Sequence, residues 1–257
     1  MLQFKQHGYP IGRRGVLAAL CLAVPTVLSA RTARADELLS VDLQLVLAVD
    51  VSGSVNQARF ELQKRGYVAA FRNPKVLQAI RTGATKSIGV TVIQWTGPTQ
   101  QSQVLPWTLI KDEVTIEAFA AGLDASPRAL LSGGTSVSGA IDYAVGLFPN
   151  SPYVSNRRVI DVSGDGANNR GRAANLARDE AINAGIVING LPILELEPNL
   201  EDYYRDNVIG GPNAFVIAVA RFEEFGDAIL RKLILEIADI RQIRVKLGRS
   251  STATSGE

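Results

Sequence analysis

The chain has 257 residues, with 27 Lys and Arg, 25 Asp and Glu, one His, one Cys and one Met, and a formal net charge of +2. His7, Cys21 and Met1 all fall within residues 1–35, together with five basic residues (Lys5, Arg13, Arg14, Arg31, Arg34) and no acidic one. The remainder holds 22 basic against 25 acidic side chains, a net charge of −3; it has no electrostatic footprint for nucleic acid, no thiolate, no disulfide, no Cys/His metal centre and no Ser-His-Asp triad.

Residues 1–35 read as a cleaved export signal: a basic start, an apolar stretch from Gly15 to Leu28, and Ala33-Arg34-Ala35 as the cleavage site. Arg13-Arg14-Gly15-Val16-Leu17 resembles a twin-arginine signal, the alternative being a general secretory signal with paired arginines. Acylation at Cys21 is disfavoured because the preceding Leu20 is too large. The expected product is periplasmic or secreted, with no later apolar run of membrane-spanning length. Residues 36–248 are expected to form one domain, and residues 249–257 a polar, disordered tail.

Leu43 to Val49 is apolar except for Gln44, which predicts a strand buried on both faces of a parallel sheet. Asp50-Val51-Ser52-Gly53-Ser54 follows at its carboxyl end. Asn56 to Arg72 predicts a helix, and Lys75 to Arg81 a short second one after the Asn73-Pro74 break. Ser87 to Trp95 and Gln101 to Leu109 predict two strands joined as a hairpin, the second carrying Pro106 and so placed at an edge. Lys111 to Leu123 predicts a helix led by Asp112 and Glu113.

Leu131-Ser132-Gly133-Gly134-Thr135-Ser136 is a flexible loop opening into a helix that Pro149 to Pro152 ends. Arg158 to Ser163 predicts a strand, followed by Gly164-Asp165-Gly166 and an Asn-rich loop; Asp161 inside the strand has no evident role. Ala173 to Ala184 reads as a helix, Gly185 to Ile193 as a strand, Leu200 to Val208 as a short helix, Ala214 to Ala220 as a buried strand and Phe222 to Ile240 as a closing helix. This alternation predicts an α/β fold: a doubly wound, mostly parallel central sheet with one antiparallel edge strand and helices on both faces.

Asp50, Ser52 and Ser54 would then lie past a strand's carboxyl end, where open α/β sheets bind ligands. Oxygen donors suit a hard divalent cation, with turn and cap chemistry as the plain alternative. Taken with Gly133-Gly134-Thr135-Ser136 and Ser163-Gly164-Asp165-Gly166, the motif resembles the von Willebrand factor A (vWA) family from Val41 to Leu247. That family's metal-ion-dependent adhesion site (MIDAS) combines DxSxS with a loop Thr and a later Asp. The resemblance implies that Ser52 and Ser54 bind a metal directly, Thr135 directly or through water, and Asp50 and Asp165 through water or by hydrogen-bonding the hydroxyls. Gly164 departs from the family's usual Thr, removing one hydroxyl and loosening the loop.

The resemblance further implies Mg²⁺, with Mn²⁺ or Ca²⁺ as alternatives, and a protein partner presenting Asp or Glu to complete the coordination. Trp95, Asn168 and Asn169 are expected at the contact rim, although Asn in a loop is commonly turn chemistry and Trp95 also suits a core. The expectation is a binding module, not an enzyme. Two readings stay open: a Mg²⁺-dependent hydrolase or phosphotransferase using Asp50, and a scaffold with a structural or vestigial metal site. Against the first, Ser52 stands where the phosphatase pattern has a second Asp, and no phosphate-binding loop or nucleophile elbow is present.

Overall fold

A computed structural model describes residues 38–129 and 133–238. The export signal (1–35), the tail (249–257), and Leu131 and Ser132 of the glycine loop lie outside the described residues. The elements are β1 (Leu39–Ser40), β2 (Leu43–Asp50), α1 (Gln57–Arg72), α2 (Pro74–Arg81), β3 (Ile88–Trp95), β4 (Gln101–Ile110), α3 (Glu113–Ala125), α4 (Val137–Leu147), β5 (Tyr153–Val154), β6 (Arg158–Gly164), α5 (Ala174–Asn183), β7 (Val187–Pro192), α6 (Leu200–Asn207) and α7 (Phe225–Ile237).

Five strands form one sheet in the order β4-β3-β2-β6-β7, parallel except for β4, which pairs antiparallel with β3. Every residue of β2 is buried. Its side chains alternate between two cores: Leu43, Leu45, Leu47 and Val49 pack with residues of α1, α2, α3 and α7, whereas Val46 and Ala48 pack with α4, α5 and α6. Buried Gln44 donates from Nε2 to the Tyr153 carbonyl at 3.1 Å. The sheet is doubly wound, as the alternating pattern predicts.

Local chemistry sets the helix starts. Asn56 Oδ1 accepts from Arg59 N at 3.0 Å to open α1, and Asp112 with Thr115 forms a capping box on α3. Asn73 ends α1 and caps α2, with Pro74 at the first helical position.

Ala214 to Ala220 is a correction. It forms no regular strand, only isolated bridges from Val216 to Gly190 and from Val219 to Ile193, and of its residues Val219 alone is buried. Its apolar residues lie half-exposed along β7. The short parallel pair β1 and β5 went unpredicted. The closing helix begins as a 3₁₀ turn at Phe222 and runs as α7 to Ile237; residues 239 and 240 are outside the described residues.

Chain order places β3 on one side of β2 and β6 on the other. That is a topological switch point, and the crevice outside the carboxyl ends of β2 and β6 is where such sheets place ligands.

Candidate metal centre

Asp50 is the last residue of β2 and fully buried. Its Oδ1 accepts from the Ser52 amide at 2.7 Å, turning the chain sharply out of the strand. Ser52 Oγ and Ser54 Oγ stand 3.2 Å apart, and Ser54 Oγ donates to Asp165 Oδ1 at 2.5 Å. Asp165 directly follows β6, the neighbour of β2 in the sheet. Two adjacent strand ends thus bring two carboxylates and two hydroxyls together.

Thr135 comes from the loop before α4. Ser136 caps α4 through Oγ to Gly139 N at 3.1 Å, and its own amide donates to the Thr96 carbonyl at 2.7 Å. Gly134, at φ +85°, sits in the left-handed region that a side chain disfavours. Asn169 fixes Thr135 from both ends: its Oδ1 accepts from Thr135 N at 2.9 Å, and its amide donates to Thr135 O at 2.9 Å. Thr135 Oγ1 lies 3.7 Å from the point where a Cβ on Gly166 would stand, which places it beside the Asp165 loop.

The rim residues divide. Trp95 has no exposed surface and belongs to the α4–α5–α6 core, so it is not a rim residue. Asn168 accepts at Oδ1 from Ser138 N at 3.0 Å and donates from Nδ2 to the Arg172 carbonyl at 3.0 Å. Asn168 and Asn169 therefore lock the third loop onto the second, and Asn169 is also exposed.

Several residues with no sequence signal support the first loop. Arg59 donates to Ser54 O at 2.9 Å, pairs with Glu195 at 2.5 Å and stands 3.8 Å from Asp165 Oδ2. Arg128 donates to Val51 O at 2.9 Å, and buried Gln63 to Asp50 O at 3.2 Å. Glu197, exposed in the loop before α6, accepts from Ala167 N at 3.0 Å and edges the same crevice.

Gly164 does not loosen its loop. It is the last residue of β6, paired with Pro192, and a Cβ there would stand 2.8 Å from Asp50 Oδ2, 3.0 Å from Tyr204 Oη and 3.2 Å from Trp95 Cζ2. The glycine is a packing requirement.

Burial pushes the Asp50 carboxyl up to about 7, with the negative charge of Asp165 adding to the rise. Asp165 is raised in the same direction, chiefly by burial, against the lowering effect of Ser54 and Arg59. Two buried carboxylates thus share a crevice with Arg59 as the ion-pair partner among the described residues, and Asp165 Oδ2 accepts no hydrogen bond. Hydroxyls beside incompletely compensated carboxylates form a hard-donor set, which fits a divalent cation. No group of three or more His, Cys, Asp or Glu suited to a metal occurs among the described residues.

A family model described as "Protein of unknown function (DUF1194)" matches residues 40–241. The chain belongs to the DUF1194 family. No curated protein sequence matches this DUF1194 chain. Among solved structures it is similar to proximal thread matrix protein 1 from the mussel byssus, with a TM-score of 0.59 and 14% identity over 78% of this chain and 49% of that one. The DUF1194 chain thus spans about half the length of the mussel protein. Another structure of that protein, with a TM-score of 0.56 at 12% identity, is described as having a zinc-occupied MIDAS motif. The pilus adhesin SpaC from Lactobacillus rhamnosus GG, in an open conformation, matches with a TM-score of 0.53 and 14% identity over 77% of this chain and 30% of that one. The SpRpn10 VWA domain matches with a TM-score of 0.51 and 12% identity over 74% and 94% of the two chains. At these identities the likeness is one of fold: this DUF1194 protein has a vWA-type α/β fold.

Proposed function

We propose that this DUF1194 protein is a binding module that recognises a carboxylate on a protein partner through a divalent cation held at the carboxyl edge of its sheet. The observation that carries the reading is that Asp50, Ser52, Ser54 and Asp165 come together at two adjacent strand ends, with Thr135 beside the Asp165 loop and two buried carboxylates short of positive charge. A vWA-type fold and neighbours that include a pilus adhesin support a protein-interaction role.

Ser52, Ser54 and Thr135 would hold the cation through their hydroxyls. Asp50 would orient the first loop through the Ser52 amide, and Asp165 would polarise Ser54 Oγ. A bound cation supplies a Lewis-acidic centre that an incoming Asp or Glu can complete in charge and geometry. Arg59 and Arg128 keep the loop backbone in place while Asn169 holds Thr135 and Asn168 holds Ser138 at the start of α4. Mg²⁺ suits the all-oxygen donor set, and the zinc bound by the mussel protein makes Zn²⁺ worth including in any titration.

We read the site as non-catalytic, because residues 36–257 hold no His or Cys and Ser52 occupies the position a phosphatase would give to Asp. A periplasmic or secreted location accords with the signal-like residues 1–35, and no helix among the described residues is long and apolar enough to cross a membrane.

The test is Mn²⁺ binding followed by electron paramagnetic resonance, with a Glu-containing peptide then added as a carboxylate probe. The peptide is expected to change the bound-Mn²⁺ signal in the wild type and to have no effect in Asp50→Ala. A peptide response that survives Asp50→Ala, or that persists in chelator, would sink the proposal.

A further inference from the structure

Three residues around Gly164 each carry a buried polar atom with no hydrogen-bond partner among the described residues: Asp50 Oδ2, Tyr204 Oη and Trp95 Nε1. All three residues are fully buried. They surround Gly164, since the position of a Cβ there lies 2.8 Å from Asp50 Oδ2, 3.0 Å from Tyr204 Oη and 3.2 Å from Trp95 Cζ2, a ring carbon next to the one bearing Nε1. Leaving polar groups unpaired in an interior costs the whole of their lost hydration, so three of them around one residue call for a partner. The chemistry is complementary: a phenol and an indole donate, and a carboxylate oxygen accepts. Asp50 Oδ1 is already engaged by the Ser52 amide, which leaves Oδ2 as the free acceptor.

We propose that Tyr204 is a positioning residue for Asp50, its hydroxyl donating to Oδ2 directly or through one shared water, with Trp95 Nε1 as the second donor of the same enclosed pocket. A glycine at 164 is what lets α6 bring the phenol this close; a side chain there would occupy the pocket. The tyrosine thereby supplies from α6 a hydroxyl that the strand end lacks. With both oxygens held, the Asp50 carboxylate keeps one rotamer and the Ser52–Ser54 loop one shape. This inference rests on the metal-site reading. Outer partners of this kind typically contribute about ten- to hundredfold to metal affinity.

The experiment is Mn²⁺ titration of the full chain by calorimetry for wild type, Tyr204→Phe and Thr135→Ala, with urea unfolding in EDTA alongside. Tyr204→Phe is expected to weaken Mn²⁺ binding by about tenfold or more while its urea midpoint in EDTA stays near that of the wild type. Equal Mn²⁺ affinity in wild type and Tyr204→Phe overturns the positioning role and leaves the metal reading standing. A wild type that binds no Mn²⁺, behaving like Thr135→Ala, overturns the metal reading and the positioning role with it. A crystal structure of the metal-free full chain gives an independent readout. A direct Tyr204–Asp50 bond or one bridging water supports the proposal, and a Tyr204 hydroxyl bonded elsewhere overturns it.

Discussion

Strand β6 and the residue just past its end hold two aspartates four positions apart, both buried, and the protein treats them in opposite ways. Asp161 faces the α1–α7 core, where Lys232 Nζ stands 2.5 Å from both its Oδ1 and Glu236 Oε1. Asn189 donates to Glu236 at 2.9 Å and accepts from Phe215 N at 3.1 Å, which extends the cluster to β7 and the segment after it. Asp165 sits past the end of the strand beside Asp50, with Arg59 at 3.8 Å and no lysine among its partners in the described residues. The first cluster holds its own cation and joins β6 to α7; the second gathers acceptors and hydroxyls at the sheet's ligand-binding edge. Carboxylates in direct contact with a fully buried internal lysine point to structure, and those whose ion-pair partner stands off at 3.8 Å leave room for an external cation.

Breaking the closed cluster should have the largest effect. Lys232→Ala leaves two buried carboxylates uncompensated and is expected to cost about 3–5 kcal/mol in urea unfolding, with Mn²⁺ affinity in the folded fraction unchanged. An equal loss of Mn²⁺ affinity would show that the two clusters are coupled. At the open cluster, Gly164→Ala drives a methyl against Asp50, Tyr204 and Trp95. It is expected to cost about 1–3 kcal/mol by overpacking and, unlike Lys232→Ala, to lower metal affinity as well.

A pH series sharpens the contrast further. Burial first, then Glu236, pushes Asp161 up to about 7, with Lys232 opposing. Because the folded value lies above the ordinary carboxylate value, the folded state holds this proton more tightly. Asp161 therefore favours folding at low pH, and that contribution is lost as pH rises from about 4 toward about 7. The stability of wild type relative to Asp161→Asn should fall across that window and level off above it; a flat difference would mean Asp161 is ionised throughout. The smallest effect is expected from Asn169→Ala, which removes the acceptor of the Thr135 amide: about 1 kcal/mol, with a modest drop in metal affinity.

Much of the fold was legible because burial on both faces leaves a simple trace. β2, β3 and β6 are apolar runs bounded by turn residues, and the hairpin with Pro106 marked the edge strand. Ala214 to Ala220 has the same composition but joins β7 only through isolated bridges and lies mostly half-exposed, since apolar content alone does not tell a buried central strand from an irregular edge segment. Asp50, Ser52 and Ser54 were legible as a contiguous motif, and Thr135 and Asp165 by their place beside glycine turns. Tyr204, Arg59 and Glu197 were not. Tyr204 and Glu197 come from α6 and the loop before it, far along the chain, and Arg59, though only five residues after Ser54, shows its role only through its contacts with Glu195 and Asp165. Trp95 was ambiguous for a related reason: the end of a strand that borders the crevice is also the end of its core. The role of Asp161 depended on Lys232 and Glu236, one turn apart on a helix whose apolar face otherwise reads as ordinary core.

The most direct measurement is thermal unfolding of the full chain in EDTA and in increasing Mg²⁺, Mn²⁺, Ca²⁺ and Zn²⁺, for wild type and Thr135→Ala. A cation that binds only the folded state raises stability by about RT ln(1 + [L]/Kd). The proposed centre predicts a concentration-dependent rise for at least one of these cations in the wild type, and a much weaker rise for Thr135→Ala. Melting curves that stay the same for both proteins at millimolar metal would contradict it.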